Sequence, residues 1–444
     1  MGPGVKHSVN VCIAGMLVLS LLPSNEEVTG KRYPLNIKYT YMFLSSKSNR
    51  SDKMRIDTSN PWRFNFIDTA ALIELWGYKS EEHKVTTEDG YIISLYRILP
   101  KQEGSPPVLV MHGFLACSET FLVRGKPDLA IMLSEAGYDV WLSNFRGNYN
   151  GKGHINMTAE DENFWKFSFH EMGLYDLPAF VDFILHRTGF MKMTLLGHSF
   201  SNAIIMIMTS LRPEYNEKIN LFVGMAPFVF ASHLRQGPLL EFLIKSVSRY
   251  CNKVRKFELL ERRPINPIVR ICDSIPFGCV LTYLFILGIN KPNYDQNLVP
   301  SINGYFPSGT SLYTMAHLID LYRQRRFCQF DYGRDQNLLR YNSEEPPDYD
   351  LSRVTIPILL YSGGADFFTD SRDVTRLEMS LPNLIGSHVL TTYNHFDFVI
   401  SSDTKEVFYD DMMEVVAKYQ QVPPLADSIT RRPPRTVTSG RARG

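Results

Sequence analysis

Hydrophobic and polar positions repeat with two different periods between Trp62 and Tyr419. Short apolar runs rich in β-branched residues predict buried strands at 106–113, 138–144, 193–197, 219–227, 356–366 and 388–393. Longer amphipathic runs predict helices at 126–137, 169–189, 200–211, 371–381 and 405–419. This alternation of strands and helices favours the α/β class, with a mostly parallel central sheet whose functional site lies beyond the carboxyl ends of the strands.

The alternation is interrupted between Phe228 and Asp350. This stretch is helix-prone and rich in loops, and it contains the apolar run Val280–Ile289. At 10 residues the run is too short to span a bilayer, so it predicts a buried or lid-type helix. The sequence thus divides into a core formed by 58–218 and 351–421, an inserted helical cap or lid at 219–350, an irregular segment at 25–57 and a disordered basic tail at 422–444.

A short apolar run near the N-terminus predicts a secretory signal peptide. Lys6 and His7 precede the 14-residue run Val9–Leu22, and polar residues follow at once. A membrane-spanning helix needs about 20 apolar residues, so we predict removal of approximately residues 1–24, no transmembrane anchor, and an extracellular or lysosomal destination. The alternative, an N-terminal core helix, is disfavoured by the polar segment that follows.

Composition adds few constraints. Of the 444 residues, 44% are hydrophobic and 21% are charged, and the formal net charge of +1 gives no reason to expect nucleic acid as a partner. Asn49 and Asn156 begin glycosylation sequons, which fit the secretory route. Cys272 and Cys279 are close enough in sequence to form a small disulfide loop, and the lack of a C-x-x-C pair argues against a zinc site. No metal or other cofactor is expected.

Residues 197–201 read GHSFS and match four of the five positions of the motif G-x-S-x-G. In that motif the serine lies on a sharp turn between a strand and a helix, and Ser199 stands between the predicted strand 193–197 and the predicted helix 200–211. Ser201 occupies the position of the last glycine and adds one hydroxymethyl group to a crowded turn. By itself the segment fits a catalytic serine and an ordinary strand–turn–helix junction about equally.

Two downstream residues complete a catalytic set. A serine hydroxyl needs a base to take its proton and an acid to orient the base, and in α/β hydrolases the three follow in the order Ser, Asp, His. Asp366 ends the predicted strand 356–366, and His395 lies between the last predicted strand and the last predicted helix. Asp370 and Asp373 are alternatives to Asp366, although Asp370 is better placed to cap a helix.

Two backbone N–H groups usually bind the oxyanion of an acyl-transfer transition state. One belongs to the residue after the nucleophile and the other to the loop after an early strand. These positions are Phe200, after GHS, and Phe114, after MHG. Because the donors are backbone groups, phenylalanine side chains are compatible with the role.

Longer segments resemble the acid lipases, a family that comprises the gastric and lysosomal acid lipases and their insect relatives. The resemblance covers about 62–419 and is carried by HGFLACS, GYDVWLSNFRGN, FWKFSFHEMGLYDLPAFVDFIL and SGGAD…NHFDF, with a step of 29 residues from Asp366 to His395. It implies an α/β-hydrolase fold with an inserted cap and a mobile lid. It also implies hydrolysis of triacylglycerol or sterol esters at a lipid–water interface, through an acyl-enzyme and with an acidic working range.

Residue by residue, the resemblance places the triad on Ser199, Asp366 and His395, and the oxyanion hole on Phe114 and Phe200. The sequence departs from the family at three positions. Phe200 replaces a glutamine, Ser201 replaces a glycine, and Tyr305 in YFPSGTS replaces the histidine of HSPAGTS. The first two departures keep the backbone donor and alter the wall of the acyl site.

The sequence is consistent with functions from two classes, enzyme and binding protein. An active lipase or carboxylic ester hydrolase is favoured because all three triad residues are retained. A catalytically weak or inactive member of the same fold, which binds lipid or a protein partner, is suggested by Ser201 in the motif. A hydrolase of small esters or epoxides is a third interpretation, although such an enzyme has no need of an apolar cap. The sequence does not predict the oligomeric state.

Overall fold

The computed structural model of the protein describes residues 67–235, 237–238, 241–242, 245, 257–262, 302 and 304–420. Several sequence predictions lie outside the described residues. They are the signal peptide at 1–24, the segment 25–57, the sequon at Asn49, the pair Cys272 and Cys279, the apolar run 280–289 and the tail 422–444.

A single large sheet forms the centre of the described fold. Its strands are, in spatial order, β1 (Ser80–Thr86), β2 (Tyr91–Ile98), β4 (Asp139–Ser143), β3 (Pro107–Met111), β6 (Met193–His198), β7 (Ile219–Met225), β10 (Ile358–Gly363) and β11 (Leu384–Leu390), and the short β5 (Gly153–His154) pairs with β2. Strands β4, β3, β6, β7, β10 and β11 run parallel to one another. At one edge, β1 pairs antiparallel with β2, and β2 pairs antiparallel with β4. The predicted α/β class with a mostly parallel sheet is confirmed.

Helices cover both faces of this sheet. They are α1 (Thr69–Leu75), α2 (Leu129–Glu135), α3 (Phe169–Glu171), α4 (Leu177–Thr188), α5 (Ser201–Leu211), α6 (Leu312–Gln324), α7 (Arg334–Tyr341), α8 (Ser371–Ser380), α9 (Asp397–Ile400) and α10 (Asp410–Tyr419). Because side chains alternate along a strand, Leu109 of β3 packs in the cluster that contains α4 and α5, whereas Val110 packs in the cluster that contains α2 and α10. Burial on both faces explains why β3 reads as a continuous apolar run.

The predicted helix 169–189 is divided in two. A π-helical turn, Met172–Asp176, separates α3 from α4, and Pro178 falls in the first turn of α4. That position tolerates a residue without an N–H donor, whereas the middle of a helix does not. Gly189 ends α4 with a φ of 76°, a left-handed conformation that glycine adopts without strain.

Two sequence predictions need correction. Strand β7 bonds to β6 on one side and β10 on the other, so the core continues to Met225 and the predicted boundary at residue 218 falls one strand too early. The strand predicted at 388–393 lies at Leu384–Leu390 instead. It is the edge strand and is only half-buried, so its apolar pattern is weak.

The segment between β7 and β10 contributes a small second sheet. Here β8 (Glu258–Leu259) pairs antiparallel with β9 (Thr310–Ser311). Among the described residues, none of the helices combines the length and the apolar character that crossing a bilayer requires.

Candidate active site

Ser199 occupies the sharp turn between β6 and α5. Its φ is +59°, a left-handed conformation that a residue with a side chain adopts only when its surroundings enforce it. The Ser199 N–H donates to the Met225 carbonyl at 2.9 Å, and the Ser199 carbonyl accepts from Asn202 Nδ2 at 2.8 Å. Gly113 allows the close approach of the neighbouring loop, since a Cβ at that position would lie 2.9 Å from the Ser199 Cβ.

The structure brings the three predicted triad residues together. His395 Nε2 lies 2.7 Å from Ser199 Oγ, and His395 Nδ1 lies 2.8 Å from Asp366 Oδ2. All three are nearly inaccessible to solvent, at 2% for Ser199, 4% for His395 and 6% for Asp366. A carboxylate only accepts, so Nδ1 carries the proton and Nε2 is left free to accept the Ser199 hydroxyl proton.

The Asp366 carboxylate is held by the turn that follows it. Its Oδ1 accepts the backbone N–H groups of Phe368 at 2.7 Å and Thr369 at 2.9 Å, and its Oδ2 accepts the Thr369 hydroxyl as well as His395. Sequence reasoning missed Thr369, although a threonine three residues after an aspartate at a strand end is a recognisable turn pattern.

The two alternative carboxylates are engaged elsewhere. Asp370 caps α8 by accepting the Arg372 N–H at 3.0 Å, as the sequence predicts. Asp373 accepts from His233 Nδ1 at 2.9 Å. Of the three aspartates considered, Asp366 is the one bonded to His395.

Ser201 is accommodated without distortion. The residue is completely buried, and its hydroxyl donates to the His198 carbonyl at 2.8 Å. It starts the regular helix α5, so its backbone does not need the conformational freedom of glycine. The space comes from Gly197, where a Cβ would lie only 2.7 Å from Ser201 Oγ.

Phe114 and Phe200 face each other beside the serine. Their rings stack with centroids 4.7 Å apart. Phe114 lies in the loop after β3, and Phe200 precedes the first turn of α5. Among the described residues, neither backbone N–H of this pair meets a protein acceptor, which leaves both available to an oxyanion.

His198 fixes the backbone of the third triad residue, which sequence reasoning did not anticipate. Its Nε2 donates to the His395 carbonyl at 2.8 Å. Burial, and then the neighbouring His395, lower the pKa of His198 to about 3. The ring is therefore neutral at neutral and mildly acidic pH and adds no positive charge beside the triad.

The loop after β3 is supported by the segment 305–311, whose sequence is YFPSGTS. Leu115 has a φ of +59°, and its carbonyl accepts the Ser308 N–H at 2.7 Å. Cys117, a buried free cysteine, donates to the Tyr305 carbonyl at 3.4 Å. The Tyr305 hydroxyl in turn donates to the Ile67 carbonyl at 3.1 Å, so the tyrosine at this departure from the family is part of the packing.

The predicted glycosylation sequon lies on the surface, since Asn156 is exposed in the loop after β5. Within the described ranges, no group of three or more histidine, cysteine, aspartate or glutamate side chains could hold a metal ion.

Comparison with known proteins places this geometry in a family. Residues 69–125 match a model described as a partial α/β-hydrolase lipase region, and residues 106–256 match one described as the α/β-hydrolase fold. Among solved structures, a putative lipase from Sulfolobus solfataricus superimposes with a TM-score of 0.52 at 14% identity, over 76% of this chain and 94% of that one. That likeness concerns the fold alone.

Three curated relatives share about a third of their residues with this chain. Lipase 1 of Drosophila melanogaster is 32% identical over 85% of this chain and 86% of its own length. Gastric triacylglycerol lipase of Rattus norvegicus is 33% identical over 79% of this chain and 92% of its own length. A putative lysosomal acid lipase/cholesteryl ester hydrolase of Crotalus adamanteus is 32% identical over 80% of this chain and 91% of its own length. With identity at this level across most of each sequence, the chain belongs to the acid lipase family of α/β-hydrolase-fold proteins.

Proposed function

We propose that the protein is a serine hydrolase that cleaves carboxylic esters of neutral lipids through an acyl-enzyme. The observation that carries the proposal is the buried hydrogen-bond chain from Ser199 Oγ through His395 to Asp366, at 2.7 and 2.8 Å. The names of the relatives, which include a triacylglycerol lipase and a cholesteryl ester hydrolase, support neutral lipid esters as the substrate class.

The reaction we propose begins with proton transfer. As Ser199 Oγ attacks the ester carbonyl carbon, its proton passes to His395 Nε2, and Asp366 stabilises the imidazolium that forms. The backbone N–H groups of Phe114 and Phe200 bind the oxyanion. Collapse of the tetrahedral intermediate breaks the bond to the alcohol oxygen, which takes the proton from His395. A water then donates a proton to His395 and attacks the acyl carbonyl carbon. The bond from that carbon to Ser199 Oγ breaks, Oγ takes the proton back from His395, and the carboxylic acid leaves.

We further propose a location in the secretory pathway, extracellular or lysosomal. The apolar run Val9–Leu22 and the exposed sequon at Asn156 support this location, and the names of gastric and lysosomal relatives agree with it. Glycosylation at Asn49 and Asn156, the disulfide between Cys272 and Cys279, and a cap formed by the chain between β7 and residue 350 remain predictions.

The test is hydrolysis of a fluorogenic octanoate ester by the wild type and by Ser199→Ala. Loss of the nucleophile should lower kcat by at least about 1,000-fold, and a serine-directed fluorophosphonate should label the wild type but not the variant. Ser352→Ala is the matched control, because Ser352 is exposed and lies outside the site. Folded wild type that neither labels nor turns over would contradict the proposal and favour a lipid-binding or partner-binding role.

A further inference from the structure

The loop that follows β3 begins with a peptide unit that lies beside the nucleophile. A Cβ at Gly113 would lie 2.9 Å from the Ser199 Cβ, so the backbone at this position is next to the serine side chain. The carbonyl of Gly113 and the N–H of Phe114 belong to the same trans peptide unit. Because a peptide unit is planar, a bond that fixes the Gly113 carbonyl also fixes the direction of the Phe114 N–H.

The side chain of His112, directly after β3, bonds to this peptide unit. Its Nδ1 lies 2.8 Å from the Gly113 carbonyl oxygen. Its Nε2 accepts the backbone N–H of Phe145 at 3.2 Å, and Asn148 Nδ2 lies 3.2 Å from the same atom. A backbone N–H only donates, so Nε2 carries no proton. The neutral ring therefore has its proton on Nδ1 and donates it to the Gly113 carbonyl.

The surroundings of His112 keep the ring in this form. His112 is 6% exposed. Burial, opposed by the Gly113 carbonyl and by Glu119, lowers the pKa of His112 to about 4. A second proton, on Nε2, would face the N–H groups of Phe145 and Asn148, so the ring remains a donor through Nδ1 alone.

A chain of hydrogen bonds connects His112 to the other end of the loop. Asn148 Nδ2 also donates to Asn144 Oδ1 at 2.8 Å. Asn144 in turn accepts the Ser118 N–H at 3.2 Å and donates to Ser118 Oγ at 2.8 Å. His112 and Ser118 stand on either side of the loop 113–117, so the segment after β4 that carries both asparagines holds the two ends of this loop.

We propose that His112 is a positioning residue of the oxyanion hole, whose Nδ1–H holds the Gly113–Phe114 peptide in the orientation in which the Phe114 N–H binds the oxyanion. This proposal rests on the proposed function, because the oxyanion forms only when Ser199 attacks an ester. His112 transfers no proton, since the Ser199 proton passes to His395. Its effect is on the charged oxygen of the transition state, and both formation and hydrolysis of the acyl-enzyme pass through such an oxygen.

Two substitutions separate the roles of the two ring nitrogens. The amide of His112→Asn reaches the place of Nδ1 and keeps a donor for the Gly113 carbonyl. The amide of His112→Gln reaches the place of Nε2 and keeps an acceptor for the Phe145 N–H. With kcat expressed per site labelled to completion by fluorophosphonate, His112→Gln should lower kcat on the fluorogenic octanoate ester by about 10-fold or more, with KM unchanged, since loss of a whole oxyanion donor costs about 100- to 1,000-fold. His112→Asn should keep kcat within about threefold of the wild type.

An alkyl trifluoromethyl ketone provides a readout that protein stability alone does not change. Its carbonyl carbon bonds to Ser199 Oγ, the hydroxyl proton passes to His395, and the carbonyl oxygen becomes an oxyanion. Its affinity for His112→Gln should fall by about the same factor as kcat/KM, because it resembles the transition state. His388→Gln is the matched control, since His388 is exposed on β11 and should change neither value.

Three outcomes would overturn the proposal. They are wild-type kcat per labelled site in folded His112→Gln, a loss in His112→Asn as large as that in His112→Gln, and a loss of kcat without weaker binding of the ketone. If His112→Gln does not fold, His112→Phe replaces it and should show the same loss, because it keeps a ring against Phe145 and removes both nitrogens. Failure of the proposed function is distinguishable, since the wild type itself would then neither label nor hydrolyse the ester.

Discussion

At the residue scale, the hydroxyl group of Ser201 is part of the packing of the turn that carries Ser199. Ser201 lies where the family motif has glycine, yet its backbone is helical and its hydroxyl donates to the His198 carbonyl. The glycine at this position therefore serves for its small size, and serine is small enough. What the turn does require is a residue without a side chain at position 197.

We expect Ser201→Gly to keep kcat/KM within about threefold of the wild type. Glycine stabilises a helix less than serine does, and the variant loses the hydrogen bond to the His198 carbonyl. The free energy of unfolding should therefore fall by about 1 kcal/mol. Ser201→Leu should instead fail to fold or lose activity, because Ser201 is completely buried against Met111 and Gly197. Ester hydrolysis and thermal unfolding check both variants. A large gain of activity in Ser201→Gly would mean that serine impairs the turn.

Thr369 is expected to act as a positioning residue for the triad. Its hydroxyl shares Asp366 Oδ2 with His395, so it fixes the orientation of the carboxylate. Thr369→Val keeps the shape and removes the donor. It should lower kcat by roughly 10-fold with KM unchanged, because one hydrogen bond contributes about 1 kcal/mol and about 1.4 kcal/mol is a factor of ten in rate. Thr369→Ser should restore most of the activity. Wild-type kcat in Thr369→Val would contradict this role, and an equal loss in both variants would show that the hydroxyl group alone is not sufficient to hold the carboxylate.

At the element scale, the loop after β3 depends on a segment that lies about 190 residues further along the chain. The Ser308 N–H and the Tyr305 carbonyl bond directly to this loop. A buried ion pair strengthens the same junction, because Arg262, just after β8, lies 3.0 Å from Glu119, just after the loop. Burial alone would raise the pKa of Glu119, but Arg262 beside it holds the pKa below its ordinary value.

We expect Arg262→Met to destabilise the protein by about 3–5 kcal/mol, because the buried charge of Glu119 would lose the cation beside it. The double variant Glu119→Gln, Arg262→Met should recover part of that loss, since it removes both charges. Thermal unfolding at pH 7 of the two single variants and the double variant completes the cycle. Additive effects would mean that the pair does not couple the two elements. Arg334→Met is the control, because the ion pair of Arg334 with Glu344 is exposed and should contribute less than 1 kcal/mol.

The elements that sequence reasoning predicted and those it missed differ in a physical way. Strands such as β3 and β6 are buried on both faces, so their apolar runs are visible without any tertiary information. The half-buried edge strand β11 has a weaker pattern, and the predicted strand 388–393 lies a few residues beyond the observed one, Leu384–Leu390. The sequence analysis does not predict the antiparallel pair β1 and β2, because the local sequence of a strand does not indicate which strand it pairs with.

The site divides in the same way. Ser199, Asp366 and His395 follow from a motif, a chain order and the ends of predicted strands. His198, Arg262 and Tyr305 could not be assigned their roles, because their partners are separated from them by more than 140 residues in sequence. Contacts of that range come from the topology of the sheet and cannot be read from local pattern.

At the scale of the whole molecule, three buried histidines and one aspartate change the free energy of unfolding with pH in opposite directions. Burial lowers the pKa of His112 to about 4, and of His198 and His317 to about 3. An unfolded histidine titrates near 6.5, so the unfolded chain takes up more protons as the pH falls below that value. The stability that His112, His198 and His317 contribute is therefore complete above pH 6.5. It is lost as the pH falls toward 4 for His112 and toward 3 for the other two.

Asp320 on α6 opposes this trend. Burial first, and then the nearby Asp331, raise the pKa of Asp320 to about 7, while Arg323 acts in the other direction. An unfolded aspartate titrates near 3.9. Between these values the folded state holds the proton more tightly, so the stability that Asp320 contributes is complete at low pH and is lost as the pH rises toward 7.

Asp320→Asn should therefore stabilise the protein by an amount that grows with pH. An amide never becomes charged, so the variant avoids the loss that the wild type suffers as Asp320 ionises. Within the window from about pH 4 to 7, the difference in the free energy of unfolding should grow by at most on the order of 1.4 kcal/mol per pH unit. Urea unfolding at pH 4.5, 5.5, 6.5 and 7.5 measures it. Asp335→Asn makes the same charge change at an exposed position of α7 and should give a nearly flat difference. A difference for Asp320→Asn that does not vary with pH would show that burial of this carboxyl does not contribute to the stability of the protein in acid.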